Sequence, residues 1–310
     1  MDIRLPLGFI AQKCSDASAV NVVIVPGNPG ILDFYRPFVN ALFFDEFNQK
    51  ANVYAIGHLH QTAEIVTHAS VDPASIRRRF GGSTYDELNP LEKETLLKVT
   101  FIETQLDSKS KLILIGHSVG AYLVLQTLRH IDIDRVTNVI LLFPTVERML
   151  ESPNGQRQHV FFKKHAWLPI GFAKFMSLLP NFVRRQLCQF YMSWCKWVPN
   201  DDLEHMVDGV MVMGHGTEMT ERILTLAHCE MNVIVKLSSE MIQTISRLAD
   251  RIVFFYAVSD GWVPNDCPEK MAERFPSCHV ERASKEIDHD FCLTKSREVA
   301  KRVADFVGKN

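Results

Sequence analysis

Runs of apolar, β-branched residues alternate along the chain with stretches whose apolar positions recur at helical spacing. Val20 to Val25 (VNVVIV) predicts a buried strand, and Asn52 to Ile56 a second one. Between them, Asp33 to Phe47 places Phe34, Phe38, Leu42 and Phe43 at the period of a helix. Lys111 to Ile115, Val136 to Phe143 and Arg251 to Ala257 predict further strands, with a short one near His279 to Arg282. Helices are predicted over Leu91 to Leu106, Ser118 to His130, near Asp266 to Phe275, and from Thr294 to Val307. Residues 61–90 are polar and rich in Gly, Ser and Pro, and read as a long loop or lid piece. Alternation of this kind implies an α/β fold, a mostly parallel sheet with helices on both faces.

Residues 145–250 break the rhythm. This stretch is long, aromatic and punctuated by Pro153, Pro169, Pro180 and Pro199. It predicts a helical cap inserted into a core made of residues 1–144 and 251–310. A chain of 310 residues suits one large domain with an insertion and can bury a sizeable core.

Composition narrows the partners. The hydrophobic fraction is 46%, the charged fraction 23% and the net charge −2, so the overall balance points to no partner. No zinc-finger spacing or long basic run points to nucleic acid. The seven cysteines are odd in number and form no CxxC pair, which argues against a disulfide framework or a zinc site and for a reducing compartment. The first residues lack the basic and apolar regions of a signal peptide, and no run is long enough for an ordinary transmembrane helix.

The chemistry centres on Gly116-His117-Ser118-Val119-Gly120, a G-x-S-x-G motif between a predicted strand and a predicted helix. That context is the nucleophile elbow of α/β-hydrolases, where Ser118 is exposed at the carboxyl end of the sheet. The glycines are expected because the turn is tight. The Val119 N–H lies at a helix N-terminus, ready to bind an oxyanion. A second donor is expected on the loop Pro26-Gly27-Asn28-Pro29-Gly30, which follows the first strong strand. Pro29 has no N–H, so the expected donor is Asn28.

A serine hydroxyl needs a histidine to take its proton, and the histidine needs an acceptor to set its tautomer. In this fold the chain order is Ser, acid, His. Asp260 follows the strand 251–257 in Ser259-Asp260-Gly261-Trp262-Val263-Pro264, and His289 follows the last short strand. These fit the acid and the base. Glu147, after strand 136–143, is a rival acid. His58, His60, His68, His117 and His215 are rivals by type in the wrong segments. Asp288 and Asp290 flank the base and are expected to raise the local negative potential.

From Ser152 to Asn200 there is no Asp or Glu, while Arg157, Lys163, Lys164, Lys174, Arg184, Arg185 and Lys196 sit among aromatic residues such as Phe161, Phe162, Trp167, Phe182, Trp194 and Trp197. Basic charge interleaved with Trp and Phe suits a lipid interface. The same composition also suits a soluble lid over an acyl pocket.

With these residues in view, the chain resembles the lipid-droplet-associated hydrolase family. The likeness is carried by Val25 to Gly30 with Phe34-Tyr35, by Leu114 to Tyr122 around the elbow, by Leu142 to Gly155, and by Asp260 to Pro264 with His289. The resemblance implies a serine hydrolase on the cytosolic side of lipid droplets and the endoplasmic reticulum, acting on sterol esters or acylglycerols. It carries the catalytic roles to Ser118, Asp260 and His289 and implies no metal or organic cofactor. One departure is Asp288, where the family pattern has a proline. The alternative reading is a droplet-coating or tethering protein with a vestigial pocket.

Overall fold

A computed structural model describes residues 2–16, 20–59, 61–62, 65–195, 199, 202–214 and 216–308, with the side chains of 159–163 and 195 outside the description. Its centre is a seven-stranded sheet of order β2-β4-β3-β6-β7-β8-β9. The strands are β2 (Phe9–Gln12), β3 (Val20–Val25), β4 (Ala51–Ile56), β6 (Leu112–His117), β7 (Val136–Leu142), β8 (Ile252–Tyr256) and β9 (His279–Arg282). Only β2 runs antiparallel, against β4; the remaining pairs are parallel. This is the α/β-hydrolase architecture expected from the alternating pattern.

The central strands bury both faces, as parallel strands covered by helices must. Successive side chains point to opposite sides. Val23, Leu114, Val139, Leu141 and Phe254 therefore join one core cluster. Their neighbours Val22, Ile24, Ile113, Ile115 and Ile140 join the cluster on the other face. The closing helix Ser296–Gly308 covers that second face with Val299, Ala300, Val303 and Phe306.

Two expectations about local structure need correction. Residues 61–90 are not one loop: they contain β5 (Thr67–Val71), the helix Pro73–Arg79 and a short 3-10 turn, Tyr85–Glu87. β5 pairs antiparallel with β1 (Ile3–Leu7) in a separate two-stranded sheet. Leu5, Leu7, Ala69 and Val71 face the core while Arg4, Pro6, His68 and Ser70 alternate with them. An alternation this short is a weak periodic signal, and pairing across the two segments makes the strands. The second correction concerns Asp33 to Phe47. It is a 3-10 turn (Leu32–Tyr35), an α-helix (Arg36–Asn40) and a π turn (Ala41–Glu46) in succession. Pro37 lacks the N–H that would continue the first turn, so the helix restarts there.

Between β7 and β8 most of the described residues are helical. Helices Pro153–His165, Trp167–Ser177, Asn181–Cys195, Leu203–Met213, Thr217–Val233 and Ser239–Arg247 follow one another. The helix Thr217–Val233 packs on Pro90–Gln105 and roofs the carboxyl ends of the strands. No helix among the described residues is long and apolar enough to cross a membrane.

Candidate active site

β6 ends at His117, and the helix Val119–Thr127 starts two residues later. Ser118 makes the turn between them with φ 55° and ψ −123°, a left-handed backbone that an L side chain adopts only when its surroundings impose it. The neighbouring glycines permit the turn. A Cβ on Gly120 would lie 2.1 Å from the Val25 carbonyl oxygen, and one on Gly116 would lie 2.5 Å from the Gly120 carbonyl oxygen. Both obstacles are backbone. Ser118 is held from below by its N–H, which donates to Leu142 at 3.0 Å.

The structure brings the three side chains proposed from their order into one row. Oγ of Ser118 lies 2.9 Å from Nε2 of His289, and Nδ1 of His289 lies 2.8 Å from Oδ2 of Asp260. A carboxylate accepts, so Nδ1 carries the proton and Nε2 is left to receive one from the serine. The other oxygen, Oδ1 of Asp260, accepts the Trp262 N–H at 2.7 Å. Asp260 is 8% exposed, which shields its attraction for the imidazole from water. Glu147, the rival acid, is turned to Arg274 at 3.3 Å. Asp288 and Asp290 are exposed, and Asp290 lines the mouth of the cavity.

Over the serine, the loop from Pro26 to Gly30 leaves one residue whose amide has no partner among the described residues. The Gly27 N–H donates to the Tyr35 hydroxyl at 2.8 Å, and the Gly30 N–H donates to Oε1 of Gln61 at 2.7 Å. Prolines 26 and 29 have none to give. Asn28 remains. The second amide, that of Val119, opens its helix, where no earlier helical carbonyl can accept it.

Two residues that the sequence did not assign to the site tie it together. The His289 backbone carbonyl accepts from Nε2–H of His117 at 2.8 Å, which leaves Nδ1 of His117 to accept from the Tyr35 hydroxyl at 2.5 Å. The hydroxyl in turn accepts from Gly27. A continuous chain of hydrogen bonds thus joins the Asn28 loop, the elbow and the base loop. Burial, and then the neighbouring His289, pull the His117 pKa down to about 3, so this imidazole stays neutral. His117 was legible as the residue before the serine, but only tertiary structure shows what it holds.

A cavity of about 330 Å³ lies above Ser118, walled by Phe34, Met149, Met213, Trp262 and Leu293 and by the buried Glu230. Glu230 carried no sequence signal, being one carboxylate in an ordinary cap helix. Burial raises its pKa to about 8 against a hydrogen bond from Asn28. A more open cleft of about 500 Å³ near Asp33, Arg36 and Arg185 holds none of the row Ser118, His289 and Asp260.

The expected interfacial segment shows apolar stripes turned to solvent. Leu168, Phe172 and Phe175 lie at i, i+4 and i+7 on one helix, and Leu187, Phe190, Tyr191 and Trp194 at i, i+3, i+4 and i+7 on the next; all are exposed. Not every basic residue of the segment is free for a partner. Arg184 bonds to the Gly214 carbonyl, and Arg185 pairs with Asp208 and Glu204. The side chains of Phe161, Phe162 and Lys163, and residues Lys196 and Trp197, lie outside the described residues, as do the rival histidines His60 and His215.

Comparisons with known proteins bear on the family and the fold. Residues 18–292 match the sequence profile of a family described as lipid-droplet associated hydrolase. A Drosophila melanogaster protein described as lipid droplet-associated hydrolase is 32% identical over 291 residues, spanning 92% of this chain and 88% of its own. A Homo sapiens protein of the same description is 26% identical over 298 residues, spanning 92% and 83%. Among solved structures, 2-hydroxy-6-oxo-6-phenylhexa-2,4-dienoate hydrolase from Rhodococcus sp. strain RHA1 superposes with a TM-score of 0.60 at 16% identity, over 99% of this chain and 98% of its own. A meta-cleavage product hydrolase from Pseudomonas fluorescens IP01 gives 0.61 at 11% identity, over 98% and 94%. At such identities the structural likeness speaks for the fold. The family profile and the relatives carry the rest: the chain belongs to the lipid-droplet-associated hydrolase family, hydrolases built on the α/β-hydrolase fold.

Proposed function

We propose that this protein is a serine ester hydrolase that cleaves lipid esters, of the sterol ester or acylglycerol class, at the surface of lipid droplets. The observation that carries the reading is the row of two hydrogen bonds, 2.9 and 2.8 Å, linking Ser118, His289 and Asp260 at the floor of an apolar cavity.

Each step follows from that row. Oγ of Ser118 attacks the ester carbonyl as its proton passes to Nε2 of His289. Asp260 stabilises the imidazolium and keeps the ring in place. The negative charge on the former carbonyl oxygen is met by the N–H groups of Asn28 and Val119, which need no reorganisation as charge develops. Collapse breaks the bond to the alcohol, which leaves with the proton from His289. Water, activated by the same imidazole, then frees the acid and restores the serine hydroxyl.

The solvent-facing stripes on Trp167–Ser177 and Asn181–Cys195 support attachment of the segment 152–200 to a lipid surface, that of the droplet or the cytosolic face of the endoplasmic reticulum. Monomeric proteins rarely expose such patches without a partner. Those stripes alone also fit the second reading, a droplet-coating protein that needs no chemistry. Covalent labelling decides between them. Purified protein at neutral pH takes a fluorophosphonate label on the enzymatic reading, and Ser118→Ala loses it. Absence of Ser118-dependent label removes the enzymatic reading and leaves the coat.

A further inference from the structure

The cap brings a buried carboxyl group into the cavity beside the apolar cap residues Met149, Met213 and Ala227, apart from the exposed Asp290 at the mouth. Glu230, on the helix Thr217–Val233, lines the same cavity as Ser118 and His289 and is 3% exposed. Oε1 of Glu230 accepts from Nδ2 of Asn28 at 2.9 Å, and Nδ2 also donates to the Ile223 carbonyl at 3.0 Å. Oδ1 of Asn28 is buried and has no protein partner among the described residues. The residue whose amide faces the reacting carbonyl therefore carries a side chain bonded to a buried cap carboxyl, and the pair keeps unused capacity. A carboxyl group has room for several hydrogen bonds, as an acceptor when ionised and as both donor and acceptor when neutral.

Filling space alone gives no reason for a carboxyl here, because an apolar side chain of similar volume would line the cavity along with Phe34, Met213 and Ala227 without a desolvation cost. A substrate without an O–H would strip water from Glu230 and return nothing, at a cost of a buried unsatisfied group. A substrate with a hydroxyl near the ester satisfies both partners, since a hydroxyl donates and accepts. Burial raises the carboxyl's pKa to about 8, so at neutral pH its second oxygen carries a proton to offer. Sites built to bond a hydroxyl discriminate steeply against analogues that lack it.

We infer that Asn28 and Glu230 receive a free hydroxyl of the substrate close to the scissile ester, so that hydroxyl-bearing esters such as partial acylglycerols are preferred over sterol esters. The inference rests on the hydrolase reading above and narrows its substrate. Glu230 is a specificity residue: it touches the part of the substrate beside the bond that breaks.

The test compares kcat/KM of the full chain, in one detergent micelle system, for 1-oleoylglycerol, methyl 2-hydroxyoleate, methyl oleate and cholesteryl oleate. The first two place the hydroxyl on the alcohol and on the acyl chain, and so distinguish its source. The wild type is expected to prefer at least one of them over methyl oleate by about tenfold or more, equivalent to roughly 1.4 kcal/mol. Glu230→Leu is expected to bring that ratio to within about twofold of one, whereas Glu230→Gln, whose amide also donates and accepts, keeps the preference. A wild-type ratio at or below one for both hydroxylated esters overturns the inference, as does faster cleavage of cholesteryl oleate; neither needs a variant to fold. A folded Glu230→Leu that keeps the wild-type ratio overturns it too. Fluorophosphonate labelling separates the two claims: labelled protein without the preference sinks this inference alone, and unlabelled protein that cleaves no ester sinks both.

Discussion

The imidazole of His117 donates to the backbone carbonyl of His289 across 2.8 Å, so the residue before the nucleophile holds the loop that carries the base. Through Tyr35 the same ring reaches Gly27, next to the amide expected to meet the oxyanion. These parts come from three separate stretches of chain, and their relative placement within a fraction of an ångström governs the proton transfer.

Breaking that chain should cost rate more than fold. Tyr35→Phe keeps the ring but leaves the Gly27 N–H and Nδ1 of His117 without a partner, at about 1–3 kcal/mol of stability. His117→Leu should in addition lower kcat by about 10²-fold, the scale of a displacement of about 1 Å in a catalytic geometry. Ester turnover set against urea denaturation checks both; a His117→Leu protein with wild-type kcat would show that the base loop holds itself.

Asp260 and Glu147 make opposite predictions. Asp260→Asn should reduce kcat by roughly 10³- to 10⁴-fold, as loss of the acid does in serine triads. Glu147→Gln, which weakens a part-exposed pair with Arg274 outside the row of Ser118 and His289, should leave kcat within about twofold and cost stability about 1 kcal/mol. Equal losses in the two variants would reassign the acid.

Glycine positions should divide by what surrounds them. Gly120→Ala drives a methyl group against the Val25 carbonyl at 2.1 Å and should cost about 3 kcal/mol or more. Gly171→Ala, in an exposed helix with nothing within 4 Å, should stabilise by up to about 1 kcal/mol. Chemical denaturation of the two variants measures the contrast, and a Gly120→Ala protein of wild-type stability would refute the tight elbow.

Glu230 should make stability pH-dependent in a stated direction. Its folded-state pKa is raised to about 8 from an ordinary 4.5, so the unfolded chain releases this proton first. Its contribution is full below pH 4.5 and is lost as pH rises towards 8. Glu230→Gln removes the effect, so the variant should gain on the wild type between about pH 5 and about pH 8.5. The gain should reach at most several kcal/mol, since a tenfold change in proton affinity is worth about 1.4 kcal/mol. Thermal unfolding at the two pH values reads the gap; an unchanged gap would mean that the carboxyl is solvated.

The cap stripes predict partitioning. Phe190→Ser with Trp194→Ser removes two exposed aromatic side chains whose rings stand 5.6 Å apart. If they enter lipid, each contributes about 1.5–3 kcal/mol, and binding to phospholipid-coated triolein droplets should fall by at least about tenfold. Undiminished flotation would place the attachment elsewhere.

The positions of β3, β4, β6, β7 and β8 along the chain were readable, because strands buried on both faces show as largely apolar runs such as VNVVIV. The elbow was readable for a related reason: its glycines answer a local steric demand, and the strand and helix that make that demand adjoin them. Ser118, Asp260 and His289 could be named from chain order, but their meeting is a property of the folded sheet, which carries three loop ends to one rim. β1 and β5 escaped, since each is a short edge strand that acquires its pattern only by pairing with the other. The roles of Tyr35, His117 and Glu230 escaped more completely. A buried hydrogen bond between residues far apart in the chain leaves no local trace, and neither does the desolvation of a carboxyl whose neighbours come from another element. Local sterics and periodicity are written residue by residue; solvent exclusion and long-range hydrogen bonding exist only once the chain has closed on itself.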